Sequence, residues 1–157
     1  MCAKSQMENF MNQITTGTYA HRFQGNALDK NDTVYYLAGL GRMELTKIDS
    51  GYKVVGQQES VVVPFRRTDA DVTKLVKNRR FMIDGNLVWS EDRLLWTATI
   101  IFTGVGPAAA ISTRGTYVLS PNGQPDQFWI MSTGSAIVTG SNVIPVEAVS
   151  GEARLLP

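Results

Sequence analysis

The single histidine of this 157-residue chain lies in GTYAHRFQG, residues 17–25, where aromatic side chains alternate with others. In a β-strand, successive side chains point to opposite faces, so Tyr19, His21 and Phe23 would share one face. An imidazole can accept or donate a proton near neutral pH, and a neighbouring tyrosine hydroxyl can orient a carbonyl. The stretch therefore predicts a proton-transfer pair, Tyr19 and His21. The alternative is a histidine that is hydrogen-bonded in a core or at the mouth of a barrel.

Three carboxylates also lie within predicted strands and not in turns: Glu44, Glu59 and Asp84. A buried carboxylate has a raised pKa and can act as a general acid or base. Asp84 has the most apolar neighbours, in RFMIDGNLVW, and is a third candidate catalytic residue beside Tyr19 and His21. The alternative for all three carboxylates is a position on the solvent face, since such residues are seldom buried without a partner.

Cofactor and metal sites are not indicated by any motif. One histidine and one cysteine, Cys2, cannot form a histidine- or cysteine-based zinc site within one chain. GLGRME at 39–44 lacks the dinucleotide-binding glycine spacing and a helix after it. We therefore expect no cofactor and no metal.

Composition limits the partners and the compartment. Lysine plus arginine is 15 and aspartate plus glutamate is 14, so the formal net charge is only +1, which disfavours nucleic acid as the main partner. No run of about 18 apolar residues occurs, so no membrane span is expected. A lone cysteine cannot form an intramolecular disulfide, which favours the cytoplasm. The most basic segment, residues 65–80, predicts a solvated loop; a segment that binds an anionic ligand group or nucleic acid is the alternative.

The elements that position these residues are mostly strands. Residues 1–16 are predicted to form an N-terminal helix or arm, since Met7, Phe10, Met11 and Ile14 would share a helical face within 5–15. Later segments alternate with period two and are separated by turn residues, which predicts about eight antiparallel strands in one domain, 1–157. Glycines recur inside the strands, at Gly39, Gly41 and Gly56, where a barrel wall would need curvature or close backbone approach. We therefore predict an all-β antiparallel barrel and not a sandwich.

A barrel of eight strands can hold one small ligand. Aromatic and methionine side chains are the candidates for an apolar cavity wall, and ordinary core or a subunit interface is the alternative. The candidate ligand-binding residues are Phe23, Tyr35, Met43, Trp89, Trp96, Trp129 and Met131. Within residues 94–104, Trp96 lies on a strand face that is fully apolar. The opposite face carries leucine, isoleucine and threonine side chains, and this mixture predicts a homo-oligomer contact.

Several segments in order resemble a group of small, poorly characterised bacterial proteins: GTYAHRFQG, YYLAGLGRMEL, GQQESVVV, FWIMSTG and VSGEA. Typical members read GTYAFRFSG, YPLAGVG and VSGEA at these places, so His21 departs from an apolar aromatic residue. The resemblance implies a lipocalin-like (calycin) or allene-oxide-cyclase-like barrel and does not imply a reaction, because one fold supports many functions.

The residues and the resemblance together predict a protein that binds a small, largely apolar molecule in a barrel cavity. As an enzyme it would be a cofactor-independent cyclase or isomerase that shapes its substrate by positioning. The alternative is a non-catalytic binding or assembly protein. An open lumen with His21 and a second polar group on its wall would favour the first hypothesis.

Overall fold

The fold is a closed barrel of eight antiparallel strands. The computed structural model describes residues 13–31, 33–65, 77–121 and 126–157. Each strand pairs with its neighbours in the sequence, and β1 pairs with β8 to close the barrel. The strands are β1 Gly17–Leu28, β2 Val34–Ile48, β3 Gly51–Phe65, β4 Lys77–Ser90, β5 Leu95–Val105, β6 Ile111–Pro121, β7 Gln127–Thr139 and β8 Asn142–Leu155.

The prediction of an all-β antiparallel barrel is confirmed, and the N-terminal helix is not. The described residues contain only one short helical element, the 3-10 turn Gly106–Ala108. Residues 13–16, the end of the predicted helix and arm, form irregular chain, and residues 1–12 lie outside the described part. Most of the basic segment, residues 66–76, also lies outside it. No helix among the described residues is long and apolar enough to cross a membrane.

Side chains fill the half of the barrel at which β1 begins. Trp96 is 3% exposed there and packs edge-on against Tyr52, with ring centroids 5.2 Å apart. Burial of such apolar surface is the main stabilising term in a fold of this size. Other large side chains of this core include Tyr19, Leu45, Val54, Leu87, Leu119 and Phe128.

The irregular residues before β1 add to this core. The side chain of Ile14 is buried in the same cluster, and its backbone N–H donates to the hydroxyl of Tyr52 at 3.2 Å. The hydroxyl of Tyr19 donates to the backbone carbonyl of Thr15 at 2.8 Å. The N-terminal arm therefore contributes to packing at this end without being helical.

Tyr19, His21 and Phe23 share one face of β1, and that face is the inner one. Tyr19 is fully buried, His21 is buried and Phe23 is half-buried, while Arg22 points outward and forms an ion pair with Glu152 at 2.9 Å. Small residues lie beside His21 on the neighbouring strands: its partners are Gly41 on β2 and Ala153 on β8. The small neighbours leave room for the large side chains on the inside of the wall.

Candidate functional site

The other half of the barrel contains a cavity of about 290 Å³, near the ends at which β1, β3, β5 and β7 finish. Its inner end is formed by residues that also belong to the packed core, among them Met43, Ile83 and Tyr117. Most of the remaining wall is aliphatic or aromatic. In the described part of the chain, five phenylalanine and tyrosine side chains line it: Phe23, Tyr35, Phe81, Phe102 and Tyr117. A mainly apolar cavity with a few polar groups is typical of small-molecule sites.

A chain of three polar side chains interrupts the apolar wall on β1 and β3. His21 Nε2 lies 3.3 Å from Gln58 Oε1, and Gln58 Nε2 donates to Ser60 Oγ at 3.0 Å. His21, Gln58 and Ser60 are 8%, 6% and 4% exposed, so these bonds satisfy polar groups that are shielded from solvent. Because the amide NH₂ of Gln58 faces Ser60, its carbonyl oxygen faces the imidazole, and His21 Nε2 carries the proton that it donates.

The second imidazole nitrogen of His21 is left without a partner. Nδ1 is buried and makes no hydrogen bond to any residue within the described ranges. Desolvation by burial lowers the pKa of His21, against the smaller raising effect of the bond to Gln58. The imidazole is therefore neutral at neutral pH, with Nδ1 as an unprotonated acceptor.

Gly41 makes the contact between His21 and Gln58 possible. The residues lie in one cross-strand row, His21 on β1, Gly41 on β2 and Gln58 on β3, so the two side chains meet over the glycine. A Cβ atom on Gly41 would lie 2.1 Å from the carbonyl oxygen of Gln57 and 2.8 Å from the Cβ of Gln58. Strands are about 4.8 Å apart, so only a strand with no side chain at this position lets its two neighbours touch.

A second polar group faces the cavity from β6 and β7. The hydroxyl of Tyr117 is hydrogen-bonded to Ser135, and burial raises the pKa of Tyr117 to about 12 in spite of that bond. The register of β6 and β7 shifts between Thr116 and Tyr117, and this bulge places both Ser132 and Ser135 on the inner side of β7. Tyr117 is thus a neutral hydrogen-bonding group on β6, three strands along the barrel from Gln58 on β3.

Four of the predicted site residues lie together on the cavity wall: His21, Phe23, Tyr35 and Met43. Tyr19, the predicted partner of His21, does not. It lies in the packed core, where burial raises its pKa and its hydroxyl is bonded to Thr15. Trp96 and Trp89 also point inward, but they pack against each other in the filled half, with ring centroids 5.5 Å apart.

The other three predicted residues lie on the outside of the barrel and not at the site. Asp84 is exposed and pairs with Lys53, so the solvent-face alternative applies to it, as it does to Glu44 and Glu59. Trp129 and Met131 are 50% and 57% exposed. In DQFWIMSTG both alternating faces are apolar at 128–131, so the pattern cannot show which face is buried, and the inner one carries Phe128 and Ile130.

Sequence reasoning missed four polar residues of the wall: Gln58, Ser60, Tyr117 and Ser135. Arg79, which also lies on the wall, belongs to the basic segment 65–80, for which an anionic ligand group was the alternative. A signal for Gln58 and Ser60 was present in YKVVGQQESVVVP. Both are on the same strand face as Tyr52 and Val54, which are buried. A polar residue on an otherwise apolar strand face breaks the pattern, and such breaks are typical of functional sites.

No family model, no curated protein and no solved structure matches the chain. Among the residues that the structure describes, no group of three histidine, cysteine, aspartate or glutamate side chains converges as a metal site would require. The functional assignment therefore depends on the geometry of the cavity.

The buried imidazole makes stability depend on pH. A histidine in an unfolded chain has a pKa of about 6.5, and the pKa of His21 in the folded protein is lower. At pH values between these two pKa values, only the unfolded chain binds the proton. We expect the free energy of unfolding to be highest above this range and to fall as pH falls from 7 to 5, by up to about 1.4 kcal/mol per pH unit for this proton. Urea unfolding at several pH values measures it.

His21→Phe is the control for this pH dependence, because it removes the titrating ring nitrogens. Among the residues that the structure describes, the other ionisable side chains of the cavity wall are Tyr35, Arg79 and Tyr117, and none is a carboxylate. An equal slope between pH 7 and 5 in the wild type and in His21→Phe would show that His21 is not the group responsible.

Proposed function

We propose that the barrel binds one small, largely apolar molecule in its cavity. The observation that carries the proposal is the division of the lumen: one half is packed by the protein's own side chains, and the other contains about 290 Å³ of mainly apolar space. Empty volume costs stability, since the surrounding atoms lose contacts that a filled core would provide. A bound molecule would restore those contacts.

The cavity volume indicates a ligand of modest size. An apolar cavity of about 150 Å³ can bind benzene, and drug-sized pockets begin at about 300 Å³. The cavity of this barrel therefore suits a bicyclic or branched molecule better than a large one. The neutral compound 2-naphthamide, with about thirteen non-hydrogen atoms, is a suitable probe, and its expected Kd is about 10–100 µM.

Thr113→Phe tests whether the probe binds in this space. Thr113 lies on the cavity wall, and a phenyl ring there would occupy part of the volume. We expect binding of 2-naphthamide, measured by calorimetry, to weaken at least about tenfold, since the lost contact area cannot be replaced.

Thr103→Phe is the matched control for this substitution. Thr103 follows Phe102, the cross-strand partner of Thr113 on β5, but its side chain points outward and is exposed. Binding should be unchanged in this variant. Equal weakening in both variants, or no binding to the wild type, would contradict an apolar site in the lumen.

We further propose, as the enzymatic form of this function, a cofactor-independent isomerase or cyclase. His21 contributes a neutral imidazole and Tyr117 a neutral hydroxyl, and both residues lie on the cavity wall. A base and a hydrogen-bond donor around a confined substrate are the groups that a proton shift needs. Turnover that is lost in His21→Phe while binding remains would separate this form from simple binding.

The ordered motifs from GTYAHRFQG to VSGEA support a calycin-like or allene-oxide-cyclase-like barrel as the structural type. All eight strands follow one another around the barrel, and the proposed site lies inside it. The lone cysteine supports the cytoplasm as the proposed location.

Assembly is the second candidate function, and the outer face of β3, β4 and β5 favours it. Val55, Met82 and Ile101 are 38%, 44% and 38% exposed there, which is consistent with the predicted contact on the outer face of β5. Exposed apolar side chains that share one face mark many subunit contacts. The mass of the protein in light scattering decides between a monomer and a homo-oligomer.

A further inference from the structure

We propose that the ligand of the cavity is a compact aromatic carboxylate, with its ring system in the lumen and its carboxylate on Arg79 and Ser60. This inference rests on the proposed function, because it names the class of molecule that the same cavity takes. It adds an anionic group and the two residues that recognise it.

Arg79 is the one formally charged side chain on the described wall of the cavity. Its Nη1 donates to the backbone carbonyl of Asn78 at 3.0 Å, and no described carboxylate lies within ion-pair distance of it. A guanidinium carries five N–H donors, so most of them remain for a ligand. The outward-pointing Arg22 and Arg80, in contrast, each have a carboxylate partner, at 2.9 and 3.7 Å.

Ser60 supplies a second donor beside Arg79. The two residues are direct partners across β3 and β4, where side chains on one face begin about 5 Å apart. Ser60 Oγ accepts a hydrogen bond from Gln58, so the serine keeps its own proton to donate. A guanidinium and a hydroxyl on one edge of an apolar space form a site for two carboxylate oxygens.

The shape and lining of the cavity favour a ring system over a long flexible chain. Five aromatic rings contribute to its wall, and its volume is about 290 Å³. Flat rings pack against aromatic side chains edge-on or offset, as the wall residues Phe102 and Tyr117 do with each other at a centroid distance of 6.1 Å. A rigid bicyclic body also loses less conformational entropy on binding than an alkyl chain of equal size.

The test compares two probes of equal shape, 2-naphthoate and its neutral amide, 2-naphthamide. Calorimetry at pH 7.5 should show 2-naphthoate binding to the wild type about tenfold or more tightly than 2-naphthamide. If neither compound binds, the proposed function fails together with this inference. If both bind equally, the apolar site stands and the carboxylate inference is overturned.

Arg79→Gln and Arg80→Gln assign the preference to one side chain. The residues are adjacent in the chain, but Arg79 lines the cavity and Arg80 is 61% exposed outside it. We expect Arg79→Gln to abolish the preference for 2-naphthoate while 2-naphthamide binds as before, and Arg80→Gln to keep the preference. Equal loss in both variants would overturn the assignment, because it would indicate general attraction by surface charge.

Discussion

Replacing Gly41 by alanine is expected to lower the free energy of unfolding by about 3 kcal/mol, a large effect for one methyl group. The new Cβ would lie 2.1 Å from the carbonyl oxygen of Gln57 and 2.7 Å from the Cα of Gln58. These are backbone atoms of the paired strand, so relief requires β2 and β3 to move apart. That movement would separate ladder hydrogen bonds and break the contact between His21 and Gln58, which meet over this glycine.

Urea unfolding of the variant measures the loss, and Gly134→Ala is the matched control. Gly134 is also a strand glycine, but a Cβ there would have its nearest neighbour, Thr116 Oγ1, at 3.8 Å. We expect this substitution to change stability by less than about 1 kcal/mol, toward greater stability, since it restricts the unfolded chain. Equal effects at the two glycines would show that close approach over β2 is not needed.

Trp96→Ala is expected to destabilise the protein by about 4 kcal/mol, the largest effect among the aromatic residues. The indole is 3% exposed and packs against Tyr52 and Trp89 in the filled half of the barrel. Removing it takes away a large buried apolar area and leaves a cavity, and both terms lower stability. Thermal or urea unfolding, followed by circular dichroism, measures the loss.

Two other tryptophan variants serve as controls. Trp129→Ala removes an equally large side chain that is 50% exposed, so we expect a change within about 1 kcal/mol. Trp96→Phe keeps a ring and removes the indole N–H, which has no partner among the described residues, so it should cost much less than alanine. A large loss of stability in Trp129→Ala with little loss in Trp96→Ala would contradict the placement of Trp96 inside the barrel and Trp129 outside it.

The packed half of the barrel supports the cavity in the other half. The packed core holds the strands in register and supplies the inner end of the cavity, so the wall residues are positioned by a rigid scaffold. Binding groups on such a scaffold stay near their productive geometry. The proposed ligand would then meet a preformed site, with Arg79 and Ser60 at one edge and His21 deeper in the wall.

Local patterns were sufficient to place Tyr19, His21 and Phe23 on one face of β1, and the structure shows that this face points inward. Tyr19, His21 and Phe23 alternate with Ala20 and Arg22, and only one of the two faces is consistently large and ring-bearing. In β7 the same alternation could not show which face is buried, because apolar residues occupy both faces around Trp129. The bulge opposite Tyr117 then exchanges the inward and outward positions in the rest of the strand. Asp84 was misplaced for a related reason, since its apolar sequence neighbours belong to the opposite face.

The sequence by itself determined that this chain forms an antiparallel barrel of about eight strands, because period-two alternation, turn residues and strand glycines are local signals. It also determined that His21 lies on an aromatic face. Only the tertiary structure decided which end of the lumen is filled, that Tyr19 belongs to the filled end, and that His21 meets Gln58. His21 and Gln58 are 37 positions apart in the chain, and barrel closure and register, which no local pattern contains, bring them together.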